Sequence, residues 1–234
     1  MRRAALSPGL SFRWTAASTP TPACEGQHMR YEIPAPDAIL PACRVLPVIA
    51  VRETTEVNGI LSALLDGGVG CVEITFRTDC AADAIRHATE QFPGVCVGAG
   101  TVINAGQAEL ALSCGAKFIV SPGFSDEVAA VCGEHSVPYL PGCVTPTEIM
   151  HAIDCGITTV KFFPADVYGG LSAIRALAAP FPQVRFLPTG GIGFDNLRSY
   201  LSCDRIAAVG GSFLCRGDIR ANCRRLAGIL AEEV

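Results

Sequence analysis

From residue 44 onward, short apolar runs rich in β-branched residues alternate with longer stretches whose apolar positions recur every three or four residues. The short runs are R-V-L-P-V-I-A-V (44–51), C-V-E-I-T-F-R (71–77), V-C-V-G-A-G-T-V (95–102) and F-I-V-S-P (118–122). They continue with V-P-Y-L-P-G (137–142), T-T-V-K-F-F-P (158–164), V-R-F-L-P-T-G (184–190) and I-A-A-V-G-G-S (206–212). Between them, segments such as V-N-G-I-L-S-A-L-L-D (57–66) and A-A-D-A-I-R-H-A-T-E (81–90) carry helical spacing. Helix-to-strand junctions repeat: L-L-D-G-G-V-G-C-V, L-S-C-G-A-K-F-I and I-D-C-G-I-T-T-V each place glycine where a helix ends. Thr145-Pro146-Thr147-Glu148 has the form of a capping box with proline at the first helical position.

Strand–helix units repeating at roughly 20 to 45 residues require crossover connections, hence parallel strands. Eight of them in a chain of 234 residues predict a single-domain (β/α)₈ TIM barrel over residues 29–234. A doubly wound open sheet is the alternative. Residues 37–43 read as a short extra helix before the first strand, placed to close the bottom of the barrel.

Alternation along a strand then separates inside from outside. In Glu73-Ile74-Thr75-Phe76-Arg77 the apolar residues belong against the surrounding helices, which turns Glu73, Thr75 and Arg77 inward. The same parity sends Val160 and Phe162 outward, and Lys161 and Phe163 inward. Buried Lys, Glu and Arg converging from different strands are expensive unless paired or used. One reading is an internal ion-pair network that fills the barrel, with Lys161 no more than a packed stem. The other is an imine-forming lysine, a carboxyl group for proton transfer, and an arginine that grips a carboxylate. Arg77 and Lys161 fall toward the C-terminal ends of strands two and six, where barrel enzymes keep their chemistry.

Two glycine pairs follow strands seven and eight: T-G-G-I at 189–192 and V-G-G-S at 209–212. Each alone reads as a turn. Together they sit where this fold binds phosphate through backbone N–H groups, with the Ser212 hydroxyl in support.

Composition sharpens this picture at three points. The chain has only two lysines against sixteen arginines, so a lysine among phenylalanines is not there for surface charge. A net charge of −4 leaves no basic stripe for nucleic acid, and no apolar run approaches the ~18–20 residues of a membrane helix. The chain reads as a soluble globular protein. Twelve cysteines are scattered singly, without C-x-x-C, and the four histidines lack H-x-x-x-H spacing. A reducing compartment, cysteines such as Cys71, Cys96, Cys114 and Cys155 serving as small core residues, and no metal site are expected.

Residues 1–28 differ from the rest, with Arg2, Arg3 and Arg13, many Ser, Thr and Pro, and no acid before Glu25. A transit peptide has this composition. Pro20 and Pro22 break the amphipathic helix it needs, which favours a disordered extension or an upstream start ahead of Met29.

Taken in order, V-E-I-T-F-R-T-D-C-A-A-D-A-I-R, V-G-A-G-T-V, F-I-V-S-P-G, V-K-F-F-P-A and F-L-P-T-G-G-I resemble the 2-keto-3-deoxy-6-phosphogluconate (KDPG) aldolases across nearly all of residues 36–232. These are Schiff-base, class I enzymes whose family includes 4-hydroxy-2-oxoglutarate aldolase. The resemblance implies cleavage of a phosphorylated 2-keto acid to pyruvate and D-glyceraldehyde 3-phosphate. A second cleavage, of 4-hydroxy-2-oxoglutarate to pyruvate and glyoxylate, goes with it. It also implies a homotrimer of barrels, a place in the Entner–Doudoroff pathway, a cytoplasmic location, and no metal or other cofactor. Carried over by position, Lys161 matches the Schiff-base lysine, Glu73 the acid/base carboxylate and Arg77 the pyruvate-carboxylate arginine. Thr101, Pro122 and Phe163 match pocket residues beside the pyruvyl group. Thr189, Gly190 and Gly191 match the T-G-G turn, and Gly211 with Ser212 the phosphate side. Thr189 leans the substrate toward the gluconate-derived compound.

Two rivals stay open on the residues alone. A phosphosugar epimerase on this fold wants paired histidines with a metal or acids, which are sparse here. A barrel that only binds a phosphorylated acid keeps the glycine turns and Arg77 without needing Lys161.

Overall fold

The structure, a computed structural model, describes residues 29–40 and 44–231; the expectations for residues 1–28 lie outside them. Each of the eight predicted runs contains one strand: β1 (Val45–Ile49), β2 (Cys71–Thr75), β3 (Cys96–Gly100), β4 (Ile119–Val120), β5 (Tyr139–Leu140), β6 (Thr159–Phe162), β7 (Arg185–Pro188) and β8 (Val209–Gly211). After them in turn come α1 (Glu56–Asp66), α2 (Ala81–Gln91), α3 (Ala105–Ser113), α4 (Asp126–Glu134), α5 (Pro146–Asp154), α6 (Gly170–Ala178), α7 (Leu197–Leu201) and α8 (Ile219–Ala231).

All ladders are parallel, in the order β5-β4-β3-β2-β1-β8, with β6 paired to β7. The two pieces join into a ring through single bridges. Gly142 meets Lys161 on one side, and Phe186–Ile206 and Thr189–Gly210 meet on the other. At the first seam the Lys161 N–H donates to the Pro141 carbonyl at 2.8 Å and Cys143 N–H donates back to Lys161 at 2.9 Å. Pro141 has no N–H to extend the ladder, which explains why β5 is so short. The closed ring excludes the open doubly wound sheet.

Local chemistry accounts for the helix starts. Asn104, Ser125 and Thr145 each accept a hydrogen bond from the backbone N–H three residues on, at the heads of α3, α4 and α5. At Thr145 the expected box is complete, because Glu148 Oε2 accepts from the Thr145 N–H at 2.9 Å.

Strand parity sorts the core into two clusters. Ile74, Val160 and Phe162 face the helices and belong to the large outer cluster with Leu61, Ile85 and Phe186. Leu46, Cys71, Phe118, Val120, Leu140, Leu187 and Ala208 form a separate cluster inside the ring. Ile39 and Leu40 pack against this inner cluster. The segment before β1 therefore does plug the bottom of the barrel, but as a single 3₁₀ turn at Pro36–Ala38 rather than a helix over 37–43; residues 41–43 lie outside the described residues. A proline at the start and a chain leaving after one turn keep it short.

Among the described residues, Cys80, Cys96, Cys114, Cys132, Cys143, Cys155, Cys203 and Cys215 are free thiols. Burial pushes the Cys132 and Cys215 thiols up to about 12, so they stay protonated near neutrality and serve as packing groups.

Replacing Thr145 by Ala removes one half of the capping box. We expect a loss of about 1 kcal/mol of stability, read as a lower denaturant midpoint at unchanged m-value; an unchanged midpoint would mean the box contributes nothing.

Candidate active site

Glu73 is the middle residue of β2 and Lys161 the third residue of β6, and both side chains point into the ring. Lys161 Nζ lies 3.4 Å from Glu73 Oε1, with side-chain exposures of 5% and 0%. Glu73 Oε2 is buried and finds no hydrogen-bond partner among the described residues. The Lys161 amine also sits 5.5 Å from the centroid of the Phe163 ring, so its nitrogen is bounded by a carboxylate and an aromatic face.

Glycines make the room. A β-carbon at Gly100 would overlap the Glu73 carboxyl group, and one at Gly98 would overlap the Phe118 ring below it. The V-G-A-G run of β3 is therefore a pair of clearances, one filled by the core and the other by the acid.

Above the pair, toward the C-terminal ends of the strands, opens a cavity of about 550 Å³. Thr75, Arg77, Phe163, Thr189, Gly190, Gly191, Gly211 and Ser212 all line it. Arg77 lies two residues beyond the end of β2, in the loop rather than on the strand as expected; the ladder ends at Thr75. Its Nε donates to Thr101 Oγ1 at 3.2 Å. Thr101 holds φ at 57°, a left-handed conformation costly for a β-branched residue. Strain of about 1–3 kcal/mol at such a position is tolerated where the neighbourhood fixes it. Thr101 is thus a support for Arg77 and lies outside the cavity lining. Pro122 is exposed and also outside that lining; its carbonyl packs against Gly142.

At the opposite wall, Gly190 and Gly191 adopt φ of 97° and 73°, open only to glycine at low cost. Asn196 holds this turn: its Nδ2 donates to the Gly191 carbonyl at 3.0 Å and its Oδ1 accepts from the Gly193 N–H at 3.0 Å. The Thr189 hydroxyl lines the cavity and is buried without a hydrogen-bond partner among the described residues. The Lys161–Glu73 pair is not part of the cavity lining; it lies deeper in the same ring, whose mouth is lined by Arg77, Phe163 and the glycine turn, a set of groups suited to imine chemistry on a phosphorylated keto acid.

Comparison with known proteins agrees with this geometry. A family model described as KDPG and KHG aldolase matches residues 37–226. The chain belongs to this aldolase family. It is 45% identical to the 2-dehydro-3-deoxy-phosphogluconate aldolase of Treponema pallidum, over 73% of this chain and 81% of that protein. It is 42% identical to the KHG/KDPG aldolase of Escherichia coli K12, over 78% and 85% of the two chains. Among solved structures, the KDPG aldolase of Legionella pneumophila, with pyruvate captured as a covalent carbinolamine, superposes with a TM-score of 0.76 at 35% identity. The match covers 85% of this chain and 98% of that one.

Sequence reasoning missed Asn196, Asp195 and Arg216, which all contribute to the cavity wall from loops. It also missed an H-x-x-x-C spacing. His151 and Cys155 share a face of α5 and its end, and with Asp126 bring three potential ligand atoms within 4.8 Å of one another. The polar partners of this cluster are accounted for internally: Arg30 pairs with Asp126 at 2.7 Å and His151 Nε2 lies 3.1 Å from the same carboxylate. Among the described residues no helix is long and apolar enough to cross a membrane.

Gly100→Ala tests the clearance. The added methyl must displace the Glu73 carboxyl group, and we expect cleavage and pyruvate-dependent borohydride trapping to fall roughly 100-fold, as for a ~1 Å misplacement of a reacting group, with the circular dichroism spectrum retained. Wild-type trapping rates would show that the carboxyl position is irrelevant.

Proposed function

We propose that this chain is a class I aldolase that cleaves 2-dehydro-3-deoxy-6-phospho-D-gluconate to pyruvate and D-glyceraldehyde 3-phosphate. The observation that carries the reading is the buried Lys161 amine 3.4 Å from the Glu73 carboxylate, inside the ring whose mouth is a cavity lined by Arg77 and Phe163. The relatives named as aldolases of this substrate, and the carbinolamine in the Legionella enzyme, support it.

In this mechanism Arg77 holds the substrate carboxylate and presents the C2 carbonyl to Lys161. The Lys161 nitrogen adds to C2, and Glu73 shuttles protons as the carbinolamine loses water to give a protonated imine. Removal of the C4 hydroxyl proton, with Glu73 as base, breaks the C3–C4 bond. The electron pair flows to C3 and into the iminium nitrogen as an enamine, and the phosphorylated aldehyde leaves. Protonation at C3 and addition of water release pyruvate and regenerate the amine. Thr189, Gly190, Gly191, Gly211 and Ser212 receive the phosphate, while Phe163 walls the imine from water. No step requires a metal ion.

The pyruvyl half of 4-hydroxy-2-oxoglutarate presents the same groups to Lys161 and Arg77. Its cleavage to pyruvate and glyoxylate is the second activity of this reading, supported by the KHG/KDPG name of the E. coli relative. The family resemblance adds a homotrimer, an Entner–Doudoroff role and a cytoplasmic setting, which we include in the proposal.

The test is mass spectrometry after pyruvate and borohydride, with and without EDTA. A reduced pyruvyl adduct on Lys161, insensitive to EDTA, is expected; folded protein without the adduct would sink the reading. Lys161→Met is expected to lower cleavage by at least ~10³-fold. Because it strands a buried carboxylate, the double variant Lys161→Met/Glu73→Gln serves as the folded control, and substantial turnover by either variant contradicts the assignment.

A further inference from the structure

The cavity wall carries three charged side chains: Arg77, Asp195 and Arg216. Asp195 is opposed by Arg225, 3.5 Å away, whose guanidinium lies 4.4 Å over the Phe194 ring. The substrate class proposed above has two anionic ends, a carboxylate and a phosphate dianion. With Arg77 on the carboxylate, the glycine turns and Ser212 offer the phosphate only neutral donors. Arg216 is the remaining cation on that wall.

Its placement is fixed. Ser212 leads into a single 3₁₀ turn, Phe213–Cys215, after which Arg216 takes an extended conformation. Asn222, on α8, donates from one Nδ2 to the carbonyls of Leu214 at 3.1 Å and Arg216 at 2.7 Å, with Phe213 at 3.4 Å. One amide thus ties the whole turn to a helix. Arg216 itself is exposed, and among the described residues no carboxylate pairs with its guanidinium. An unpaired arginine on a backbone pinned beside a glycine turn is arranged for a planar, multiply hydrogen-bonding anion.

We propose that Arg216 is the cationic arm of the phosphate subsite and sets the preference of this chain for a phosphorylated aldehyde half, with Asn222 as its positioning residue. This rests on the aldolase reading. Loss of one charge-assisted contact corresponds to roughly 10–100-fold in affinity.

The experiment compares wild type with Arg216→Gln and Arg216→Lys on the phosphorylated six-carbon substrate and on 4-hydroxy-2-oxoglutarate. In Arg216→Gln the ratio of the two kcat/KM values is expected to fall at least ~10-fold, through KM for the phosphorylated compound, and Arg216→Lys to recover part of it. A ratio within ~2-fold of wild type overturns the proposal. Titration with inorganic phosphate, followed by calorimetry, gives a readout independent of turnover: affinity is expected to drop at least ~5-fold in Arg216→Gln, and equal affinity overturns the assignment even if the chain proves to trap no pyruvate. Failure of the aldolase reading shows instead as absence of the Lys161 adduct in wild type. Asn222→Ala, which keeps the guanidinium but frees its turn, is expected to weaken phosphate binding less than Arg216→Gln; a larger effect would move the role from Arg216 to the turn itself.

Discussion

The structure turns on an amine and a carboxylate held 3.4 Å apart where water hardly reaches. Removing each ion from water carries an effective penalty of several kcal/mol, and mutual attraction offsets this only when the remaining hydrogen-bonding positions are filled. Here one carboxylate oxygen is left without a partner among the described residues. The pair is therefore poorly explained as a device for stability. The open acceptor is instead what the proposed roles of the pair, acid/base and nucleophile, require, with the cost of burial borne by the packed ring around it.

That ring is graded along its axis. At the bottom, Leu46, Cys71, Phe118 and Leu140 form an apolar plug sealed by Ile39 and Leu40. One layer up come Glu73 and Lys161, in register with Gly98 and Leu187 on the next strands. At the mouth the lining turns polar, and loops supply Arg77 and the glycine turn. The gradient follows from parallel closure: side chains from successive positions stack toward one end, and the backbone N–H groups that find no ladder partner lie in the loops at that end. Gly98 and Gly100 belong to the same logic, because the ring is too narrow for a side chain from every inward position once Phe118 and Glu73 are in place.

Strand parity was readable because it is a local property with a period of two. It put Glu73, Thr75, Lys161 and Phe163 inside and Ile74, Val160 and Phe162 outside without any knowledge of strand neighbours. Strand ends were less legible: Arg77 and Ser212 leave the ladder earlier than their apolar runs do, since pairing stops where neighbouring strands diverge. The clearances at Gly98 and Gly100 depend on which side chains cross from β2 and β4, and a single strand does not display that. Asn196 and Arg216 were illegible for a different reason. Their positions come from turns anchored by side chain to carbonyl contacts, and an arginine four residues past Ser212 has no distinguishing pattern among sixteen. The H-x-x-x-C spacing of His151 and Cys155 is visible in the sequence, but only the fold brings Asp126 beside them.

On the proposed reading, chemistry and selectivity are held by different kinds of structure. Lys161 and Glu73 stand on strands whose both edges are paired, so neither can shift without opening the ring. The end proposed to receive the aldehyde is built from the turns after β7 and β8, which Asn196 and Asn222 brace through side chain to carbonyl hydrogen bonds. An exposed arginine there changes the local charge at little cost to the fold, because it displaces no packed group. On the proposed reading, a barrel built this way keeps one imine-forming centre for every substrate that carries a pyruvyl half and distinguishes among them by the charge and shape of a loop that the centre does not touch.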